Sequence, residues 1–168
     1  EAEIYIVNGA ECEPLLKVDQ QLGEKYAADL VRGLELAMQA VGAKEGIVCL
    51  KAKYEKAIAA ITPLLRASMR IHILKDIYPA GDEVITIWMA TGRRVPPAGL
   101  PKDVGVAVNN VLTLINLARA VDEDAPVITR TLTVTGAVAK PVTVTVPLGI
   151  SLREVLAMVD AAKPNPAH

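Results

Sequence analysis

The residues of this sequence that could do chemistry gather in three short polar stretches, and the densest is VNGAECEP, residues 7–14. It sets Asn8, Gly9, Glu11, Cys12 and Glu13 in close succession and closes on Pro14. An asparagine offers a paired donor and acceptor, suited to the amide-bearing edge of a heterocycle. A glycine lets backbone approach a ligand closely. The second stretch, YPAGDE, supplies Tyr78, Gly81, Asp82 and Glu83, and the third, NNVLTL, begins with Asn109 and Asn110. Free backbone N–H groups at the start of a helix over NNVLTL would favour a phosphate. Together the stretches suit a phosphorylated heteroaromatic ligand. The competing reading is that they are ordinary turns and caps.

Other chemistries fit less well. Cys12 has no histidine nearby, and a catalytic thiol needs a base. His72 precedes the end of its strand, and Cys49 lies mid-strand, where a core role is expected. There is no CxxC or HExxH, and two cysteines with two distant histidines, His72 and His168, supply neither a zinc site nor an iron–sulfur cluster. Glu11, Glu13, Asp82 and Glu83 could bind a divalent ion, but loop carboxylates are usually solvated. Trp88, with Val84 and Ile87 near it, is expected to pack, and GRRVP is expected to be a solvated basic turn.

With a net charge of −1, 3% aromatic residues and no basic block, the sequence argues against nucleic acid. No apolar run approaches the roughly 18 residues of a membrane span. Two cysteines do not make a disulfide framework and suit a reducing cytoplasm. The chain opens at Glu1 directly on a strand pattern, without a signal peptide or an initiator Met, and is expected to be an interior section of a longer polypeptide.

The elements that must position these stretches follow from periodicity. Strands are expected at 3–8, 46–51 and 70–76, with a further short strand in VGVAV. Helices are expected from about Lys17 to Val41, over KYEKAIAAITPLLRAS with Pro63 kinking or shortening it, from about Glu83 to Thr91, and over NNVLTLINLARAV with Asn109 or Asn110 as N-cap. In the first helix Tyr26, Leu30, Leu34, Met38 and Val41 share a face. Alternating strands and helices mean a parallel sheet covered by helices. After VDEDAP the composition turns Thr/Val-rich. Residues 127–135 and 140–147 read as an antiparallel hairpin, and SLREVLAMVDAA as a helix capped by Ser151 and Glu154. The fold class is therefore α/β: a parallel, Rossmann-like three-layer domain over 1–123, then a partial β-grasp, hairpin plus helix, over 124–168.

In order along the chain, IVNGAECEPLLKVDQQL, YPAGDE, TGRRVPPAGLPKDVGVAVNNVLTL and LTVTGAVAKPVTVTVPLGISLREVL resemble one family. It is the flavin-binding domain shared by the flavin subunit of respiratory complex I, the C subunit of Rnf electron-transport complexes and the cobalamin reductase of propanediol utilisation. The wording is closest to the Rnf and cobalamin-reductase branch. The resemblance implies an FMN and NADH domain followed by a soluble-ligand-binding β-grasp. It places Asn8, Glu11 and Cys12 at flavin contacts, with Ala10 standing where complex I has an Asp. It sets Tyr78, Gly81, Asp82 and Glu83 in the second loop, with Glu83 close to flavin and nicotinamide. Asn109, Asn110 and Thr113 fall near the ribityl phosphate, while Leu112 departs from the usual Glu.

The family's glycine-rich loop lies upstream of Asn8 and its cluster-binding cysteines downstream, and neither is in this sequence. The resemblance thus implies an NADH-linked flavoprotein passing electrons to iron–sulfur or other acceptors, with FMN and NADH as cofactors and clusters outside this section. Implied partners are other subunits of an electron-transfer complex or a reductase partner. The implied location is cytoplasmic, docked on a membrane complex or free. The section itself is expected to bind FMN weakly or not at all. If it keeps half the binding free energy of a micromolar site, about −8 kcal/mol becomes about −4, in the millimolar range. Two readings from other classes stand beside this one: a non-redox ligand-binding or docking module, and a thiol enzyme built on Cys12.

Overall fold

A computed structural model of the chain describes residues 1–159. They form two compact units. One comprises Glu1–Cys12 and Asp19–Pro126, and the other comprises Glu13–Val18 with the chain from Val127 onward. The brief passage of 13–18 into the second unit is absent from the linear division of the sequence at 123.

The first unit is built on four parallel strands, β1 (Ile4–Asn8), β2 (Glu45–Lys51), β3 (Met69–Leu74) and β4 (Val106–Asn110), in the order β3-β2-β1-β4. Successive side chains point to opposite faces. Ile4, Ile6, Ile47, Cys49 and Val106 therefore meet one layer, where Ile87 and Ala90 of helix α4 (Glu83–Thr91) close the core. The other face is covered by α2 (Ala27–Val41), α3 (Glu55–Ile61) and α5 (Val111–Glu123). Gly33 lets α2 and α5 meet backbone to backbone. A Cβ there would lie 2.0 Å from the Leu114 carbonyl oxygen. Gly42 and Gly92, at φ 76° and 74°, end α2 and α4 in the left-handed conformation that glycine adopts without steric cost.

The expected single helix from 17 to 41 is two helices, α1 (Val18–Lys25) and α2, broken at Tyr26. The Tyr26 ring leaves the helical path to lie 4.3 Å from the Arg119 guanidinium of α5, with Lys25 Nζ 4.9 Å away. That cation–π contact is tertiary, so helical periodicity could not report it. Of the two expected effects of Pro63 the structure shows shortening: α3 ends at Ile61 and a 3-10 turn, Thr62–Leu64, follows. Trp88, expected to pack, is 48% exposed and Val84 is 40% exposed, because α4 turns Thr86, Ile87 and Ala90 inward. Arg93 of the supposed solvated turn donates to the Glu3 carboxylate at 2.6 Å and to the Val104 carbonyl at 2.6 Å.

In the second unit β5 (Thr129–Val134) pairs antiparallel with β6 (Val142–Pro147); relative to the expected 127–135 and 140–147, β5 starts two residues later and ends one earlier, and β6 starts two later and ends at 147 as expected. Thr131 and Thr133 meet Thr145 and Thr143 through hydroxyl hydrogen bonds on one face. Helix α6 (Leu152–Met158) starts in the expected capping box, with the Glu154 N–H donating to Ser151 Oγ and the Ser151 N–H to Glu154 Oε2. The end of SLREVLAMVDAA and the C-terminal histidine lie outside the described residues.

Candidate functional site

Strand order reverses beside β1: β2 and β3 lie on one side and β4 on the other. In open α/β sheets the crevice beyond the carboxyl ends of the strands at such a switch point is where ligands bind. Here it is formed by the loop after Asn8 and by Asn109–Asn110, since Val7 aligns with Asn109 and Asn8 with Asn110. Residues a hundred apart in sequence are thus neighbours because the sheet is parallel.

The loop around Gly81 joins the crevice through two close approaches. Asn8 Nδ2 donates to the Gly81 carbonyl at 2.8 Å, and the Ala10 N–H donates to Asn8 Oδ1 at 3.1 Å. A Cβ on Gly81 would fall 2.0 Å from the Ala10 carbonyl oxygen and 2.8 Å from Cys12 Sγ. Both glycines read from sequence as room for a ligand are also closely packed within the protein. Gly9 is buried, with a notional Cβ 2.7 Å from Leu50 Cδ2. Thr86 Oγ1 donates to the Ala80 carbonyl at 2.9 Å and ties the second loop to α4 from within. Asp82 is the N-cap of that helix, accepting from the Val84 and Ile85 N–H groups, each at 3.0 Å.

A second chain of bonds runs through Asp19, which sequence reasoning missed. Its N–H donates to Glu11 Oε1 at 3.1 Å, and its carboxylate accepts from Asn110 Nδ2 at 2.9 Å. Asn110 Oδ1 accepts from the Leu112 N–H at 2.9 Å, which makes Asn110 rather than Asn109 the N-cap of α5. Asn109 turns its Nδ2 to the Tyr5 hydroxyl at 2.9 Å. Each asparagine thus commits one of its two amide N–H donors within the protein.

Glu11 stands apart. It is 9% exposed, and its Oε2 is buried with no hydrogen-bond partner among the described residues. An unpaired buried carboxylate oxygen is costly and calls for a donor. Tyr54, also buried, has its phenol pushed up to about 12 by burial and then by the Glu11 charge, against a backbone hydrogen bond from Glu11. Beyond β2, the buried Lys51 ammonium lies 3.3 Å from Asp76, which also accepts from Lys53 at 3.0 Å, and the two ammoniums hold the Asp76 carboxyl below its ordinary range. This pair anchors the base of the loop leading to Tyr78.

Of the ten residues expected at the site, Asn8 and Cys12 meet Gly81, and Glu11 is joined to Asn110 through Asp19, while Asp82 and Asn109 stand next to Gly81 and Asn110 in sequence with bonds to other residues. Tyr78 is 79% exposed and joined to Pro79 by a cis peptide bond. It and the exposed Glu83 and Thr113 take no part in these hydrogen bonds. Asp19, Tyr54 and Tyr5 gave no signal in sequence, because each acts through one long-range bond rather than through spacing. No cluster of His, Cys, Asp and Glu suited to a metal ion occurs among the described residues. No described helix is long and apolar enough to cross a membrane.

Comparison with known proteins places this arrangement. Residues 1–119 match the model of the Nuo51 FMN-binding domain. The chain is 65% identical over 162 residues to cobalamin reductase PduS of Salmonella typhimurium, covering 96% of the chain and 36% of that protein. It is 36% identical over 157 residues to the C subunit of the Na(+)-translocating ferredoxin:NAD(+) oxidoreductase complex of Acetobacterium woodii, covering 92% and 35%. Among solved structures, an NAD+-reducing [NiFe]-hydrogenase in the H2-reduced state superposes with a TM-score of 0.77 at 26% identity, covering 94% of this chain and 33% of that one. The chain therefore spans about a third of the length of these relatives.

Proposed function

This chain belongs to the Nuo51 FMN-binding domain family, and from that premise we propose that it supplies one wall of an FMN site in an NADH-linked electron-transfer protein. The observation that carries the proposal is the buried, unpartnered Glu11 Oε2 at the switch-point crevice. The residues fit the group: FMN offers N–H and O–H donors to such an acceptor, and Thr113, exposed in the first turn of α5, offers its backbone N–H to a phosphate. Asn8, Glu11 and Cys12, then Tyr78 and Gly81–Glu83, then Asn109, Asn110 and Thr113 are the residues proposed to line it.

Bound FMN supplies the chemistry that takes electrons as a pair from NADH and releases them singly. The chain's own residues bind and orient. The Asn8–Gly81 bond fixes the second loop against the first. The Asp19 bridge fixes Glu11 relative to the α5 start, and Cys12 is a small wall residue rather than a nucleophile. Iron–sulfur or other acceptors belong to chain outside these residues, and partner subunits to a larger complex. The hairpin and α6 are the proposed opening of a β-grasp. Relatives carry names of reductases and of members of electron-transfer complexes, which supports the redox reading over a passive docking module.

Because the section by itself is expected to be inactive, anaerobic addition of NADH and excess FMN to a polypeptide carrying this chain within the full length of its relatives tests the proposal. Loss of flavin absorbance faster than with free FMN is expected. A rate equal to that of free FMN, with no FMN bound, would refute it.

A further inference from the structure

The three asparagines of the crevice are held differently. Asn8 and Asn110 bond at both ends of their amides. Asn109 is held at one end only, by Tyr5, and its Oδ1 has no partner among the described residues. Tyr5 is 6% exposed and aligns with Ala107 across the parallel ladder, two residues before Asn109 on the same face. The small Ala107 leaves room for the phenol to run along β4, and two residues of strand, about 6.6 Å, is the reach of a tyrosine side chain.

We propose that Tyr5 is a positioning residue. Its hydroxyl takes the Asn109 Nδ2, so the amide cannot rotate, and Oδ1 faces the carboxyl end of the sheet as a fixed acceptor. Tyr5 lies on the strand-start side of Asn109, and the two ends of an amide diverge from Cγ. Nitrogen held toward Tyr5 therefore leaves oxygen toward the crevice. An acceptor oxygen disfavours phosphate and selects an N–H or O–H donor. Resting on the FMN reading, this assigns Asn109 to a ring N–H or ribityl O–H, and leaves the phosphate to the helix start at Asn110–Thr113. Replacing the hydroxyl by hydrogen keeps the ring's packing and frees the amide to turn either end outward.

The test uses the nitrogen-15-labelled full chain with Tyr5→Phe, Asn109→Ala and the double variant. Without ligand, the Asn109 side-chain amide protons should exchange with solvent several-fold faster in Tyr5→Phe than in the wild type. With FMN, Tyr5→Phe should weaken binding about threefold to tenfold, the span of one neutral hydrogen bond. The same change in the Asn109→Ala background should have no effect, because there is then no amide to position. Unchanged amide exchange in Tyr5→Phe overturns the proposal. So does an equal loss of FMN affinity in both backgrounds, which would mean Tyr5 supports the fold and not Asn109. If the wild-type chain shows no FMN binding at all, the flavin reading fails, while the exchange measurement still decides whether Tyr5 holds the amide.

Discussion

Gly81→Ala is the substitution whose consequence the structure defines most sharply. The new Cβ would sit 2.0 Å from the Ala10 carbonyl oxygen, where ordinary contact begins at 3.4 Å. The obstacle is backbone, so one loop must move by more than an ångström. That movement carries the Gly81 carbonyl out of reach of Asn8 Nδ2, now at 2.8 Å. Loss of a neutral hydrogen bond costs about 1 kcal/mol and overpacking about 1–3 kcal/mol. The second loop is largely exposed from Lys75 to Tyr78 and can yield locally. The cost should therefore fall on ligand affinity: about 2 kcal/mol, on the order of 30-fold, which takes a millimolar site beyond detection at about 10 mM FMN. The melting temperature should move by only a few degrees. Gly33→Ala is the matched control, with its Cβ also 2.0 Å from a carbonyl oxygen, that of Leu114, but between two core helices that cannot part. It should lower the melting temperature by about 5–10 °C for a cost of about 2–3 kcal/mol. FMN titration and thermal melts on both variants decide the matter. Wild-type FMN affinity in Gly81→Ala, or a melt as depressed as that of Gly33→Ala, would refute the reasoning.

Other expectations follow from particular side chains. Cys49 is fully buried and its thiol is pushed up to about 12 by burial, so a thiol reagent should modify one cysteine, Cys12, in the native chain and both in denaturant. Two thiols reacting natively would contradict the core assignment. Trp88, the only tryptophan and half-exposed, should be quenched readily by iodide, and Trp88→Ala should cost under about 1 kcal/mol of stability. His72 is pushed below its ordinary 6.5 by burial and by Arg70. The unfolded chain therefore takes up this proton first as pH falls, and stability declines as pH drops below about 6.5. His72→Gln should flatten that decline in urea midpoints, and an unchanged slope would show that His72 titrates normally.

The parallel sheet, its helices and the hairpin were legible because each rests on local periodicity: Ile4 to Asn8 is apolar until its end, and Thr129 to Val134 alternates. The helix expected from about Glu83 to Thr91 is found there, with Asp82 capping its start and Gly92 ending it in the structure. What could not be read were effects carried by one long-range contact. Tyr26 stands at the break between α1 and α2, with its ring 4.3 Å from the Arg119 guanidinium. Gly9 and Gly81 also have long-range neighbours, Leu50 and Ala10, that leave no room for a Cβ. The grouping of Asn8, Glu11 and Asn110 was guessable from the rule for open sheets. Asp19, which bridges Glu11 to Asn110, lay in a helix with nothing in its spacing to mark it.

The central claim is that the crevice beyond β1 and β4 binds flavin, and a nitrogen-resolved NMR titration of the 168-residue chain with FMN tests it even at millimolar affinity. The account predicts saturable shifts confined to the backbone amides of Gly9–Cys12, Gly81–Glu83 and Asn110–Thr113, with the opposite end of the sheet around Lys44 and Arg70 unmoved. Shifts centred on that opposite end, or none in the crevice at FMN concentrations of about 10 mM, well above the millimolar range, would contradict it.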